Sequence, residues 1–194
     1  NAAFQTFDTP VINADGDNGF RATLNDSDTN TAPEFFVRKF TANPYASRLA
    51  AAELILEDTS QHNVVIKATT AVINCHGTGD PGIFGSDRAF PGRTINVQDL
   101  GIVAEATGII TIHQAADWTF GVYCNDSFGP TIGDFSLSLA ATRASAITLG
   151  TFNVINSSGY PLRLVFFQAL HGATVELVAK QGTQTTYNNT FSLV

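Results

Sequence analysis

The sequence predicts an all-β protein with one short helix, built as an antiparallel sandwich or barrel. From residue 63 onward the chain runs as short β-branched and aromatic segments: NVVIKATTAVIN, GIVAEATGIITIH, WTFGVYC, DFSLSLA, AITLGTFNV, YPLRLVFF, ATVELVA and TFSLV. Glycine, proline and asparagine separate them, and many short strands with turn chemistry between them make a sandwich or barrel. Period-two alternation, clearest in Thr174-Val175-Glu176-Leu177-Val178 and in Leu162-Arg163-Leu164, requires at least one sheet with a wet face. An apolar content of 44 % in 194 residues fills one sizeable core and falls short of two.

The elements follow in order. Residues 1–33 are turn-rich, with Phe4, Phe7, Val11, Ile12, Phe20 and Leu24 as the main apolar anchors, and read as short strands joined by loops. The expected organisation is therefore an N-terminal arm over 1–34 followed by a sandwich domain over 35–194. EFFVRKF (34–40) is strand-like. After Asn43-Pro44, YASRLAAAELILED places Leu49, Ala52, Ile55 and Leu56 on one helical face, which predicts a helix over about 45–57. TFGVYCNDSFGPTIG (119–133) reads as a strand running into a polar, glycine-marked bend. No repeat of fixed length and no low-complexity segment is present.

Charge narrows the function. Acids outnumber bases 17 to 10, giving a net charge of −7, and no basic run exists, so a nucleic-acid backbone is excluded as a partner. Charged residues make up only 14 % while Ser, Thr, Asn, Gln and Gly are abundant, the balance of extracellular β proteins; a secreted or cell-surface location is expected. No apolar run approaches the roughly 20 residues of a membrane helix. The sequence given shows no cleavable signal, and the lack of any methionine is expected of a processed or trimmed chain.

Cys75 and Cys124 each end an apolar run, AVINC and FGVYC. Ends of neighbouring strands are disulfide partners in an oxidising compartment, and closing a loop of about 50 residues would contribute roughly 3–4 kcal/mol. The alternative is a pair of buried thiols.

The second half has a strand ending in TFGV, a polar acidic turn, a further strand, and YPLRLVFFQALHGATVELVA. In this it resembles the protective-antigen type (PA14-like) of jelly-roll β-sandwich found in toxins, glycosidases and fungal adhesins, whose late strand pair Arg163, Gly172 and the alternation at Val175 and Leu177 fit. IFGSDRAFPG (83–92) is similar to a segment found beside this domain in exported surface proteins of planctomycete-like bacteria that carry a C-terminal sorting signal. The likeness covers about residues 35–194. It implies a loop cluster at one end of the sandwich where two adjacent acids bind calcium, which in turn takes sugar hydroxyls as ligands. Those acids fall on Asn125 and Asp126 and the following glycine on Ser127. One carboxylate is thus a neutral amide, which lowers the expected calcium affinity.

Other candidate sites are weaker. Asp26, Asp28 and Asn30 in DSDTN imitate the first ligands of a calcium loop, but the expected glycine is Thr31 and the twelfth position is Val37, so a solvated loop explains them better. DGDNG (Asp15, Asp17) reads as a turn. GTGDPG (77–82) matches a dinucleotide pattern with neither a following helix nor a βαβ context, and reads as a flexible loop. His62, His76, His113 and His171 lack metal-ligand spacing and read as polar surface residues, and Cys75-His76 with Cys124 lacks a fourth zinc ligand. Glu105 and Glu176, the strand-borne glutamates, sit where solvent-facing residues are expected, so catalysis by a carboxylate pair is not predicted. Trp118, Tyr123, Phe128 and Tyr160 offer either a sugar platform or core. Sequons occur at Asn25, Asn125, Asn156 and Asn188.

The expected function is non-catalytic binding of carbohydrate or another cell-surface ligand through loops near 124–133 and 170–173. Asn125, Asp126, Ser127 and His171 would supply polar contacts and Tyr123 or Phe128 apolar ones, with calcium as a possible cofactor. The rival is a structural subunit of a surface layer, matrix or filament, a homo-oligomer or polymer joined through the strand-like ends AAFQTF and TFSLV.

Overall fold

In the computed structural model the described residues are 46–78, 81–85, 88–92, 101–140, 142–169 and 172–194, together with the backbone of 11–12, 18–19 and 35–42. Asp26, Asp28, Asn30 and His171 lie outside them. The strands are β1 (Val11–Ile12), β2 (Asn18–Gly19), β3 (Phe35–Ala42), β4 (His62–Thr70), β5 (Asn74–His76), β6 (Ile102–Ile112) and β7 (Ala116–Cys124), then β8 (Ser127–Ile132), β9 (Phe135–Ser136), β10 (Ala146–Val154), β11 (Ser158–Gln168), β12 (Thr174–Gln181) and β13 (Ser192–Leu193). Helix α1 spans Leu49–Glu57.

Two antiparallel sheets face each other. One is six-stranded in the order β4-β3-β6-β11-β8-β9; the other is five-stranded, β10-β7-β12-β13 with β5 also on β12, while β1 and β2 pair only with each other. Alternate residues of each sheet point inward. Ile102, Ala104, Ala106, Ile110 and Ile112 of β6, with Leu162, Leu164 and Phe166 of β11, meet Phe120 and Val122 of β7 and Val175 and Leu177 of β12. Each such large side chain, fully buried, stabilises by about 1.5–3 kcal/mol. Phe90, 1 % exposed, belongs to this core and stacks on Phe166 at 5.8 Å.

The expected helix face covers the outside of the six-stranded sheet: Ala52, Ile55 and Leu56 bury against Val103, Val165 and Phe167. No side chain caps its N-terminus, and it has no acid in the first turn and no base in the last. Packing and one polar staple therefore hold it. Arg163 of β11 donates to both Glu53 oxygens at 2.6 and 2.9 Å and through Nε to Glu105 at 2.8 Å.

The sequence reading of 119–133 needs correction. The bend is only Asn125 and Asp126; Ser127–Ile132 is a strand paired along its length with β11. Gly129 and Pro130 resemble turn residues, yet each has a place in the ladder. A Cβ on Gly129 would stand 2.9 Å from Leu49 of the helix, so the glycine gives α1 its seat. Pro130 accepts the Leu137 amide through its carbonyl, which needs no proline N–H.

The cysteines do not form the expected disulfide; both are buried thiols. Val175 is in register with Cys75 on one side and with Cys124 on the other. β12 thus separates them by two strand spacings, about 10 Å, where a disulfide requires Cα atoms within about 7 Å.

Candidate functional site

The Asn125-Asp126 bend carries the chain from one sheet to the other, since β7 belongs to the five-stranded sheet and β8 to the six-stranded one. Asp126 has φ +61°, and among the described residues no other non-glycine has a positive value. Aspartate is one of the few side chains that adopts this conformation readily. Its amide donates to the Arg143 carbonyl at 3.1 Å.

Both bend side chains reach the connection between β11 and β12. Asn125 Oδ1 accepts the Thr174 amide at 3.0 Å while its Nδ2 donates to the Gly172 carbonyl. Asp126 Oδ2 accepts the Ala169 amide at 3.0 Å. Asn125 and Asp126 are thus tied to Ala169 on one side of the β11–β12 connection and to Gly172 and Thr174 on the other; residues 170 and 171 of the expected 170–173 loop lie outside the described residues. Asn125, Tyr123 and Gly172 are half-buried and reach the surface.

Three expected contact residues do not face outward. Ser127 and Phe128 are fully buried, the latter in the central core, because they open β8 rather than extend the bend. Asp126 is 8 % exposed, so the polar ligand contact expected of it is not presented at the surface. It positions the loop from beneath.

The same end of the sandwich has a polar interior. Asn74, His76, Asp126, Ser127, Gln168, Thr174 and Glu176 are all buried. His76 Nδ1 lies 3.3 Å from Thr174 Oγ1, so this histidine is not the surface residue expected. Glu176, read from alternation as solvent-facing, is wholly covered by the segment 81–85. Its Oε1 accepts the amides of Ile83 and Phe84, each at 3.0 Å, and Oε2 lies 3.1 Å from the Ile83 nitrogen. Consecutive amides after a positive-φ glycine, here Gly82 at +85°, form a nest for an anion. The flexible loop expected at 77–82 is thus anchored at its end. Over it, Phe84 meets Tyr187 edge-on at 6.3 Å and Tyr187 meets Phe191 at 5.4 Å. Burial, and then the Glu176 charge, raise the Tyr187 phenol above its ordinary value. The local sequence signal for this arrangement is the Pro81-Gly82 pair.

The remaining aromatics lie elsewhere. Trp118, near the start of β7 and away from the bend at its other end, is half-buried against the core and donates its indole N–H to the Gln114 carbonyl at 3.1 Å. Tyr160 stands edge-on to Phe152 at 5.5 Å, and Phe152 is in register with Trp118. Of the expected platform, Tyr123 and Phe128 flank the bend, and Phe128 is fully buried. Glu105 and Glu176 belong to different sheets, the first on Arg163 and the second in the nest.

Calcium takes 6–8 oxygens, preferably with several carboxylates. At the bend there is one carboxylate, with an oxygen committed to Ala169, and one amide whose oxygen is committed to Thr174 and whose NH2 faces Gly172. Among the described residues no three acid, histidine or cysteine side chains cluster as metal ligands. This donor set does not fit calcium.

Comparison with solved structures decides the fold. The PA14 domain of the antifreeze protein MpAFP superposes with a TM-score of 0.60 over 85 % of this chain and 91 % of that one, at 14 % identity. This chain has a PA14-like fold. The PA14 sugar-binding domain from an RTX adhesin gives 0.59 over 84 % and 96 %, at 12 % identity. The Epithelial Adhesin 6 A domain of Candida glabrata, in complex with Galb1-3GlcNAc, gives 0.52 over 82 % and 84 %, at 14 % identity. No family model and no curated protein matches the sequence. The PA14-like sandwich is therefore shared at the level of backbone architecture, with nearly all side chains exchanged.

Proposed function

We propose that this PA14-like sandwich is a non-catalytic, exported binding domain that takes carbohydrate or a related cell-surface ligand at the end formed by Tyr123, Asn125, Asp126 and the described ends of the β11–β12 connection, Ala169 and Gly172–Thr174. The observation that carries the reading is the double tie of the bend to that connection, on a fold whose solved counterparts include a sugar-binding adhesin domain and an adhesin in complex with a disaccharide. Rigid strands holding a fixed loop pair is how β-sandwiches present ligand sites. Asn125 and the loop backbone supply hydrogen-bonding groups, and Tyr123 an adjacent apolar ring.

A glycan array followed by calorimetry tests this. Saturable binding of at least one glycan, weakened tenfold or more in Asn125→Ala, is the expected result; an array without a binder, with calcium and with chelator, contradicts it.

A second reading rests on β4. Among the described residues this strand ends one side of the six-stranded order, and it exposes Val64 by 50 % and Val65 by 41 %, an apolar edge suited to pairing with another copy of the chain in a layer or filament. Native mass spectrometry at high concentration separates the two: a strict monomer removes the assembly reading.

A further inference from the structure

We infer that the side-chain amide of Asn125 does, without a metal, the work of fixing the Gly172–Thr174 backbone that leads into β12, so that this part of the binding end keeps its shape in the absence of any divalent cation. The inference deepens the reading of this end as the binding site and rests on it for its biological meaning.

The argument is one of donors and acceptors. The Gly172 carbonyl can only accept and the Thr174 amide can only donate, and both converge on residue 125. A carboxylate there would satisfy Thr174 but set two acceptors against each other at Gly172, an arrangement that needs a cation between them. The amide answers both, with Oδ1 accepting and Nδ2 donating; the opposite orientation of the group would satisfy neither. The neighbouring Asp126, 8 % exposed, spends Oδ2 on the Ala169 amide and takes the backbone turn at φ +61°. The bend therefore carries a single formal negative charge, placed on a backbone donor. Two side chains grip the connection at its first and last residues.

The test uses the full chain, its Asn125→Ala and Asn125→Asp variants, and two conditions, millimolar calcium and excess chelator. Thermal unfolding and hydrogen exchange at the amides of Ala169 and Thr174 are read in each. The wild type is expected to show the same midpoint and the same protection in both conditions. Asn125→Ala should unfold roughly 2–8 °C lower in both, with Thr174 exchange faster by about tenfold or more. Asn125→Asp should be destabilised in chelator and recover in calcium, because the restored acid pair then has an ion to share. A wild-type midpoint that rises with calcium, an Asn125→Ala protein indistinguishable from wild type, or an Asn125→Asp protein at wild-type stability in chelator overturns the inference. None of these readouts involves a glycan, so a protein that passes them yet binds no sugar removes the functional reading and leaves the clamp in place.

Discussion

Gly82 lies against Glu176 so closely that a Cβ added to the glycine would stand 2.2 Å from Oε1. The positive φ of +85° at Gly82 aims the next amides, those of Ile83 and Phe84, at a carboxylate with no solvent exposure. Any side chain at 82 must therefore distort the backbone and displace the carboxylate together. Gly82→Ala is expected to cost about 2–4 kcal/mol, read as a lowered midpoint in urea with an unchanged slope. Glu176→Gln keeps the shape but turns an NH2 toward one of the amides, and should cost about 1–3 kcal/mol. Wild-type stability in both variants would mean that the nest does not form.

What was legible in the sequence and what was not follows from range. AITLGTFNV was read as a strand and is β10 from Ala146 to Val154, because alternation and β-branched content are local signals. The helix face Leu49, Ala52, Ile55, Leu56 was legible for the same reason. Ser127–Ile132 was not, since Gly129 and Pro130 carry turn chemistry and only the seat of Leu49 and the ladder to β11 explain them. Glu176 alternates as a wet residue must, and nothing near it in sequence says that residues 81–85 cover it. The cysteines end apolar runs as strand partners would; that β12 lies between them is a fact of sheet order. At the bend, the resemblance implied a loop cluster at one end of the sandwich, whereas the burial of Asp126 depends on a side-chain bond spanning 43 residues of chain.

The two thiols should differ sharply in reactivity. Cys75 lines a flank pocket of about 330 Å³ with Thr70 and Arg88, whereas Cys124 is 0 % exposed and burial pushes its thiol up to about 12. In the native protein a small alkylating reagent should modify Cys75 first, and Cys124 only on unfolding. Under denaturing, non-reducing conditions the mass should rise by two alkyl groups; no rise would restore the disulfide.

The same thiol sets a pH dependence. Cys124 holds its proton more tightly folded than unfolded, so its contribution is fully present below the ordinary thiol value of 9.0 and is lost as pH climbs toward about 12. Denaturation midpoints measured between pH 8 and 11 should fall, and Cys124→Ala should flatten the part of that fall due to this group. An equal fall in the variant would assign the alkaline loss elsewhere.

Arg163 couples the helix to two strands. Its side chain is 38 % exposed and Glu53 34 %, so the pair is partly screened, while Glu105 is 9 % exposed. Arg163→Ala should destabilise by about 1–3 kcal/mol and Arg163→Lys by somewhat less, because lysine cannot make the two-pronged contact to Glu53. A double-mutant cycle with Glu53→Gln should return a coupling of about 0.5–1.5 kcal/mol. Zero coupling would show that apolar packing alone seats α1.

The claim that ligand is bound beside Asn125 is tested most directly by amide chemical shifts in a titration with the strongest glycan from the array. The account predicts that perturbations cluster at Tyr123, Asn125, Asp126 and the 172–174 amides and leave Trp118, Phe152 and Tyr160 unmoved. Shifts confined to the Trp118 end of the sandwich, or no saturable shift with any glycan, would contradict it.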